Sequence, residues 1–334
     1  MVPQLLSTVN TDERLYISAG NRYLAGLVGG GFTAFQFNAE HPPLSKILTA
    51  VSVNLGTYAE IPEVVSMRVL DAALGSLTCV LLFLLLSKVS RKTAWFGWIL
   101  LAFDPISIRY VTASLDVTMT FFLAFFALLI VREKYAVAGA VGGLAALSKY
   151  PAIAVVIFSV LFLFASKPST KMHLLRRIAY IGLPLALVFY LGDPILWPSQ
   201  ILGYPGIAVL SQATSSTLLG GEPTFFSFLA EATLTSNVQA QANLLQYFGI
   251  YLSVFYFPFF TYSFLPWTFT AGLLARARRR IELSRIELTS MAWFCALMLV
   301  LWFVTKKGDY YVISLMPPLA AFSATSLRNI AELN

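Results

Sequence analysis

The chain has 334 residues, of which 58% are hydrophobic and only 12% charged, and its mean hydropathy is +0.75. A soluble domain carries about 25% charged residues, so these values exclude an ordinary soluble globular protein and indicate a polytopic membrane protein. The net charge of +7 does not indicate a nucleic-acid binder, because the basic residues sit in short loops between apolar runs, as membrane insertion requires.

Residues 1–13 lack the basic start and long apolar core of a cleavable signal peptide. Residues 14–28 are amphipathic, and Leu44–Gly56 is too short to cross a bilayer, so both are expected to lie in the interface. Nine transmembrane helices are then expected, at about 64–87, 94–110, 114–131, 135–148, 150–166, 178–192, 248–274, 288–305 and 310–327. The short segment 135–148 is expected to tilt, or to pair with 150–166 as a hairpin. The architecture is all-α, one domain throughout: an outer loop with interfacial helices (1–63), core helices (64–192), a second outer loop (193–247) and C-terminal helices (248–334). Cys79 and Cys295 each lie inside an apolar run, which argues against a disulfide framework.

Orientation follows from charge. Lys88, Arg91 and Lys92, then Arg132 and Lys134, then Lys167, Lys171, Arg176 and Arg177, then the cluster Arg276–Arg285, and finally Arg328 fall on one side when nine helices alternate. The positive-inside rule makes that side cytoplasmic, and its basic turns read as topology signals and little else. Most acidic residues fall on the other side, and residues 193–244 contain no Lys or Arg. This count also places the N-terminus outside.

Two polar stretches, Thr11-Asp12-Glu13 and Glu40-His41-Pro42-Pro43-Leu44, precede the long apolar segments. Six further ionisable groups, Arg68, Asp71, Asp104, Arg109, Asp116 and Lys149, fall within or at the ends of apolar segments on the outer half. A charge at the bilayer centre costs about 2.5–3.5 kcal/mol on the insertion scale, so six at similar depth imply a shared wet cavity opening outward. Simpler readings exist for several. Arg68 and Asp71 share a helix face and can neutralise each other, and Asp104 before Pro105 can end a helix. Asp116 can cap the 114–131 helix. Lys149 can snorkel to headgroups, and Lys306 and Lys307 can act as interfacial anchors. Trp197 and Trp267 fit either an aromatic belt or a sugar-stacking platform. Glu40 and His41 supply O and N donors suited to a divalent metal.

Several of these residues form an ordered set. Asp12-Glu13 followed by Tyr16, Ala19-Gly20 and Tyr23-Leu24 resembles the first outer loop of the dolichyl-phosphate-mannose protein mannosyltransferases, a superfamily that includes the bacterial aminoarabinose transferases. His41-Pro42-Pro43-Leu44-Ser45-Lys46 is similar to that family's His-Pro-Pro-Leu-x-Lys motif, and Ser66-Met67-Arg68 to its Met-Arg motif. Leu115-Asp116 is similar to its Leu-Asp, and Gly143-Leu144 through Ser148-Lys149-Tyr150 to its Gly-Leu…Thr-Lys-Tyr stretch. Lys306 through Tyr310-Tyr311 and Pro317-Pro318 resembles its closing helix. The likeness covers residues 11–165 well and 300–325 fairly. It is poor over 166–300 apart from Asp193-Pro194…Leu196-Trp197-Pro198, and the family's first helix is missing or reduced to a stub.

The resemblance implies a GT-C glycosyltransferase that moves a sugar from a dolichyl- or undecaprenyl-phosphate donor to a hydroxyl on a protein, glycan or lipid, on the extracytoplasmic side and with inversion. It implies Asp12 as the base, with Glu13 orienting Asp12 or an arginine. It implies Arg68 and His41 as donor-phosphate ligands, supported by Lys149, Lys306 and Lys307. Glu40, Asp116 and Trp197 would hold the sugar or acceptor. A lipid phosphate leaves without a general acid. No metal or other cofactor is expected to be required, and Glu40 and His41 are the candidate ligands should a divalent metal bind. The Phe-rich run Phe255–Phe264 is a candidate wall for the lipid tail. The rival readings are a non-catalytic family member and a secondary transporter. A transporter should show inverted halves, and no such symmetry is visible here.

Overall fold

The computed structural model describes residues 11–38, 41–109, 111–112, 114–165, 171–198, 201, 263–279, 282–303 and 309–331, and within them every regular element is helical. Two helices come first, α1 (Thr11–Gly29) and α2 (Leu44–Tyr58). Both appear where the sequence places interfacial helices. They pack closely because Gly20 has no side chain: a Cβ there would lie 2.1 Å from the Lys46 carbonyl oxygen. Gly56 does the same for the turn into the next helix, where a Cβ would meet Ser66 Oγ at 1.8 Å.

The bundle follows: α3 (Glu63–Leu86), α4 (Arg91–Ala102), α5 (Pro105–Arg109), α6 (Ser114–Val131), α7 (Tyr135–Ser148), α8 (Pro151–Ala165), α9 (Lys171–Gly192), α10 (Leu265–Arg279), α11 (Arg285–Phe303) and α12 (Met316–Ala331). Short 3-10 turns span Phe32–Gln36, Pro194–Leu196 and Asp309–Leu315. α6 lies between α3 and α7, and α12 packs against α4, α10 and α11. Residues 312–324 of the last turn and helix are buried throughout. The small residues of α7 let α9 approach backbone to backbone, since a Cβ at Gly139 would sit 2.1 Å from the Ile181 carbonyl oxygen. The far face of α9 is apolar and open, with Leu183 71% exposed, as suits a helix whose solvent is lipid.

α3 and Leu174–Gly192 of α9 are each long and apolar enough to cross a bilayer unaided, whereas Leu115–Val131, Tyr135–Ser148 and Pro151–Phe162 are shorter apolar helices. Two expected spans take another form. Segment 94–110 is not one helix: Asp104 Oδ1 accepts from the Ile106 and Ser107 amides at 3.0 and 3.2 Å, ending α4 and starting α5. Segment 310–327 opens as a 3-10 turn and becomes α-helical only at Met316. Residues 248–262 of the 248–274 span, most of the 193–247 loop and Phe255–Tyr262 of the Phe-rich run lie outside the described residues.

The basic end does more than carry topology signals. Arg276 is buried and pairs with Glu287 at 2.5 Å, and its Nε donates to Ser326 Oγ at 3.3 Å, joining α10, α11 and α12. Arg285 pairs with Glu133 and also donates to the Tyr135 hydroxyl at 2.8 Å. Arg328 donates to the Val89 carbonyl at 3.1 Å. The basic turns that follow α3 and α6, and those at the start of α11 and the end of α12, therefore meet through side-chain contacts at one end of the bundle.

Candidate active site

The other end gathers the polar residues of the first loops. α1 begins with Asp12 and Glu13 in its first turn, where carboxylates favour the positive end of the helix dipole. Glu13 is buried and accepts two bonds from Arg68 of α3: Nε to Oε1 at 2.6 Å and an Nη to Oε2 at 2.7 Å. This is the planar two-pronged match that a guanidinium makes with a carboxylate. This contact reaches Arg68 from 55 residues away. Asp71 is itself fully buried, one turn further along α3.

Asp116 does not cap α6. Its carboxylate, 3% exposed, accepts from Lys149 Nζ through both oxygens, at 2.8 and 2.7 Å. Lys149 does not snorkel either, because it is buried between α7 and α8. Its ammonium also lies 3.9 Å above the ring of Tyr311, which brings the closing segment to the same place. Asp12, half-buried, acts electrostatically on Lys149. The first helix, α3, the α6 start, the α7–α8 junction and the 309–315 turn thus converge.

His41 is half-buried, and its ring meets Tyr16 edge-on at 6.1 Å between centroids. Tyr16 lies one turn from Asp12 and Glu13 on α1, so all three share a face. The start of α2 reaches the same region, since Ser45 Oγ contacts the Ser148 carbonyl at 3.5 Å. The six membrane-depth charges divide among several contacts. Arg68 and Lys149 are engaged in the pairs above, Asp104 is a helix cap that also accepts from Ser263 at 2.6 Å, and Arg109 is exposed at the end of α5.

Trp197 is half-buried, with its indole N–H donating to the Tyr190 carbonyl at 2.8 Å and its ring edge-on to Phe32 at 5.1 Å. Glu40, Lys306 and Lys307 lie outside the described residues. Among the described residues no three His, Cys, Asp or Glu side chains converge as a metal would require, and Cys79 and Cys295 are free thiols.

Two participants carry no assigned role in the sequence reading. Lys46 is fully buried, with its ammonium on the carbonyls of Asn38 and His41 at 2.5 and 2.7 Å. Its signals are its place at the end of the His41–Lys46 motif and its isolation: no other Lys or Arg falls between Arg22 and Arg68. Asp193, also fully buried, accepts from the Ile195 amide at 3.3 Å and from the Tyr150 hydroxyl at 3.2 Å. Burial pushes its carboxyl up to about 6, against the pull of those bonds and of the Lys46 charge.

Residues 40–197 match the model of the dolichyl-phosphate-mannose-protein mannosyltransferase family. Two solved structures of ArnT from Cupriavidus metallidurans are similar in fold. The one bound to undecaprenyl phosphate has a TM-score of 0.63 at 21% identity, the one in the apo state 0.57 at 16%. Each alignment covers 97% of this chain and 57% of that one, so the chain spans a little over half the length of ArnT. The oligosaccharyltransferase AglB from Archaeoglobus fulgidus, solved with an inhibitory peptide and a dolichol-phosphate, gives 0.52 at 16% identity over 88% of this chain and 43% of that one. Curated protein sequences show no match to the chain. Residues 40–197 thus carry a likeness to that family, and the chain shares the fold of the ArnT and AglB structures.

Proposed function

We propose that the chain transfers a sugar from a polyprenyl-phosphate donor to a hydroxyl acceptor on the extracytoplasmic face of the membrane, with inversion at the anomeric carbon. The observation that carries this reading is the meeting of Asp12, the Glu13–Arg68 pair and the Asp116–Lys149 pair at the end of the bundle away from the basic turns. The family match over residues 40–197 and the fold shared with a protein solved bound to undecaprenyl phosphate support the donor class.

The chemistry follows from the groups present. Asp12 takes the proton of the acceptor hydroxyl as the oxygen bonds to the anomeric carbon. The bond from that carbon to the phosphate oxygen breaks, and the phosphate leaves with the electron pair. Negative charge grows on the phosphate, so fixed donors there lower the barrier. Arg68 supplies guanidinium N–H groups, held in orientation by Glu13. His41 supplies an imidazole, and Lys149, aligned by Asp116, adds an ammonium. Lys306 and Lys307 are further candidates for the phosphate, and Glu40, Asp116 and Trp197 for the sugar or acceptor. A single displacement of this kind inverts the configuration.

The test is reconstitution in proteoliposomes with a panel of undecaprenyl- and dolichyl-phosphate sugars, scored by release of the free lipid phosphate. Turnover of at least one donor that Arg68→Ala abolishes supports the reading. A properly inserted protein that turns over none, or accumulates a solute across the bilayer instead, rejects it.

A further inference from the structure

We propose that Lys46 is a positioning residue for this site: its buried ammonium ties down the loop that carries His41. The inference rests on the role assigned above to His41 at the donor phosphate. Lys46 opens α2 and is 0% exposed, a setting that ordinarily favours an apolar side chain. What an ammonium adds is three N–H donors, and three oxygens receive them: the Asn38 carbonyl at 2.5 Å, the His41 carbonyl at 2.7 Å and the Tyr23 hydroxyl at 3.3 Å.

Two of these oxygens are backbone groups three residues apart, so the ammonium fixes the loop itself. Asn38 has φ +54°, a left-handed conformation that needs outside support. The Tyr23 hydroxyl donates to the Phe37 carbonyl at 2.5 Å, and the Tyr23 ring stacks on Phe35 with centroids 4.6 Å apart. Asp193 acts on the Lys46 charge and is itself held by Tyr150 and the Ile195 amide. The tie therefore links the His41 loop to α1 and to the ends of α7 and α9. On the other side of the same loop, His41 meets Tyr16, on the α1 face that carries Asp12 and Glu13. The loop's position decides where the imidazole stands relative to those carboxylates.

The experiment is a double-mutant cycle on affinity for undecaprenyl phosphate, using full-length protein in nanodiscs, with Lys46→Met, His41→Ala and the double variant. Lys46→Met keeps the stem and removes the three donors. If Lys46 acts through His41, each single change weakens binding about tenfold and the double change no further than His41→Ala alone. Lys46→Arg, which restores donors, is expected to recover part of the loss. Losses that multiply in the double variant overturn the proposal while leaving the role of His41 intact. If His41→Ala binds as the wild type does, that role fails. Lys46 is then judged by hydrogen exchange of the Phe37, Asn38 and His41 amides: faster exchange in Lys46→Met supports the tie, and unchanged exchange refutes it. Should Lys46→Met not fold, Tyr23→Phe, which removes one of the three oxygens, is expected to speed the same amides part-way, and unchanged exchange refutes the tie there too.

Discussion

The Glu13–Arg68 pair offers a sharp quantitative test. The Arg68 side chain is 3% exposed and that of Glu13 10%, and two bonds at 2.6 and 2.7 Å join them. Glu13→Gln removes the negative charge and turns an amide N–H toward the guanidinium, so buried Arg68 loses its two-pronged carboxylate partner. Two hydrogen bonds to charged groups contribute about 1.5–3 kcal/mol each. Breaking a buried pair by deleting one partner costs about 3–5 kcal/mol, and the two estimates agree. Removing both charges is different: Glu13→Leu with Arg68→Met fills the space with apolar groups and takes out both ions of the pair together, so it should come within about 1–2 kcal/mol of the wild type. Unfolding in mixed micelles titrated with SDS reads both. A Glu13→Gln variant within about 1 kcal/mol of the wild type, or a double variant as unstable as the single one, would refute the reasoning that these charges are buried and mutually dependent.

Three other outcomes are expected. Asp193 titrates at about 6 in the folded chain against 3.8 for the free group, so the folded state binds the proton more tightly. Stability is then highest below about pH 4 for this group and falls as pH rises through 6, by about 3 kcal/mol at 1.36 kcal/mol per unit. Asp193→Asn should flatten that part of a thermal-unfolding profile between pH 4 and 7, and an unchanged slope would contradict it. Gly20→Ala puts a methyl 2.1 Å from a backbone oxygen that cannot move alone; a loss of about 1–3 kcal/mol in the same SDS titration is expected, and wild-type stability would show that α1 and α2 are not in such close contact. Lys149→Met should strand the Asp116 carboxylate and lower folded yield, whereas Asp116→Asn with Lys149→Met should restore yield without restoring transfer; a Lys149→Met protein that folds as well as the double variant would speak against the buried pair.

Much of the fold is legible in the chain because apolar runs stand out against so few charges. The helices at 63–86, 114–131, 135–148 and 151–165 fall within a residue of their expected bounds. The break at Asp104 is not legible from hydropathy, because the residues on either side remain apolar while the carboxylate turns back to cap the next helix. At the site, residue types were readable and partners were not. Asp12, Glu13, His41 and Arg68 are conspicuous as polar groups beside membrane segments. The Glu13–Arg68 contact spans 55 residues and Asp116–Lys149 spans 33, and only the packing of α1 on α3 and of α6 on α7 creates them. The local reading in which Asp116 caps its own helix fails because Lys149 offers a better partner in a buried setting. Lys46, although it closes the His41–Lys46 motif, carries no assigned role for a related reason: a lysine in the first turn of an interfacial helix looks solvated until the loop before it folds back onto its ammonium.

The account stands most directly on Asp12. The decisive measurement is the rate at which reconstituted protein releases polyprenyl phosphate from its sugar donor, taken for the wild type and Asp12→Asn beside their affinities for the lipid phosphate. Loss of a general base predicts a fall in turnover of about 10²–10⁴-fold, with affinity for the lipid phosphate little changed. An Asp12→Asn protein that transfers sugar at the wild-type rate would contradict the claim that the first turn of α1 carries the reacting carboxylate.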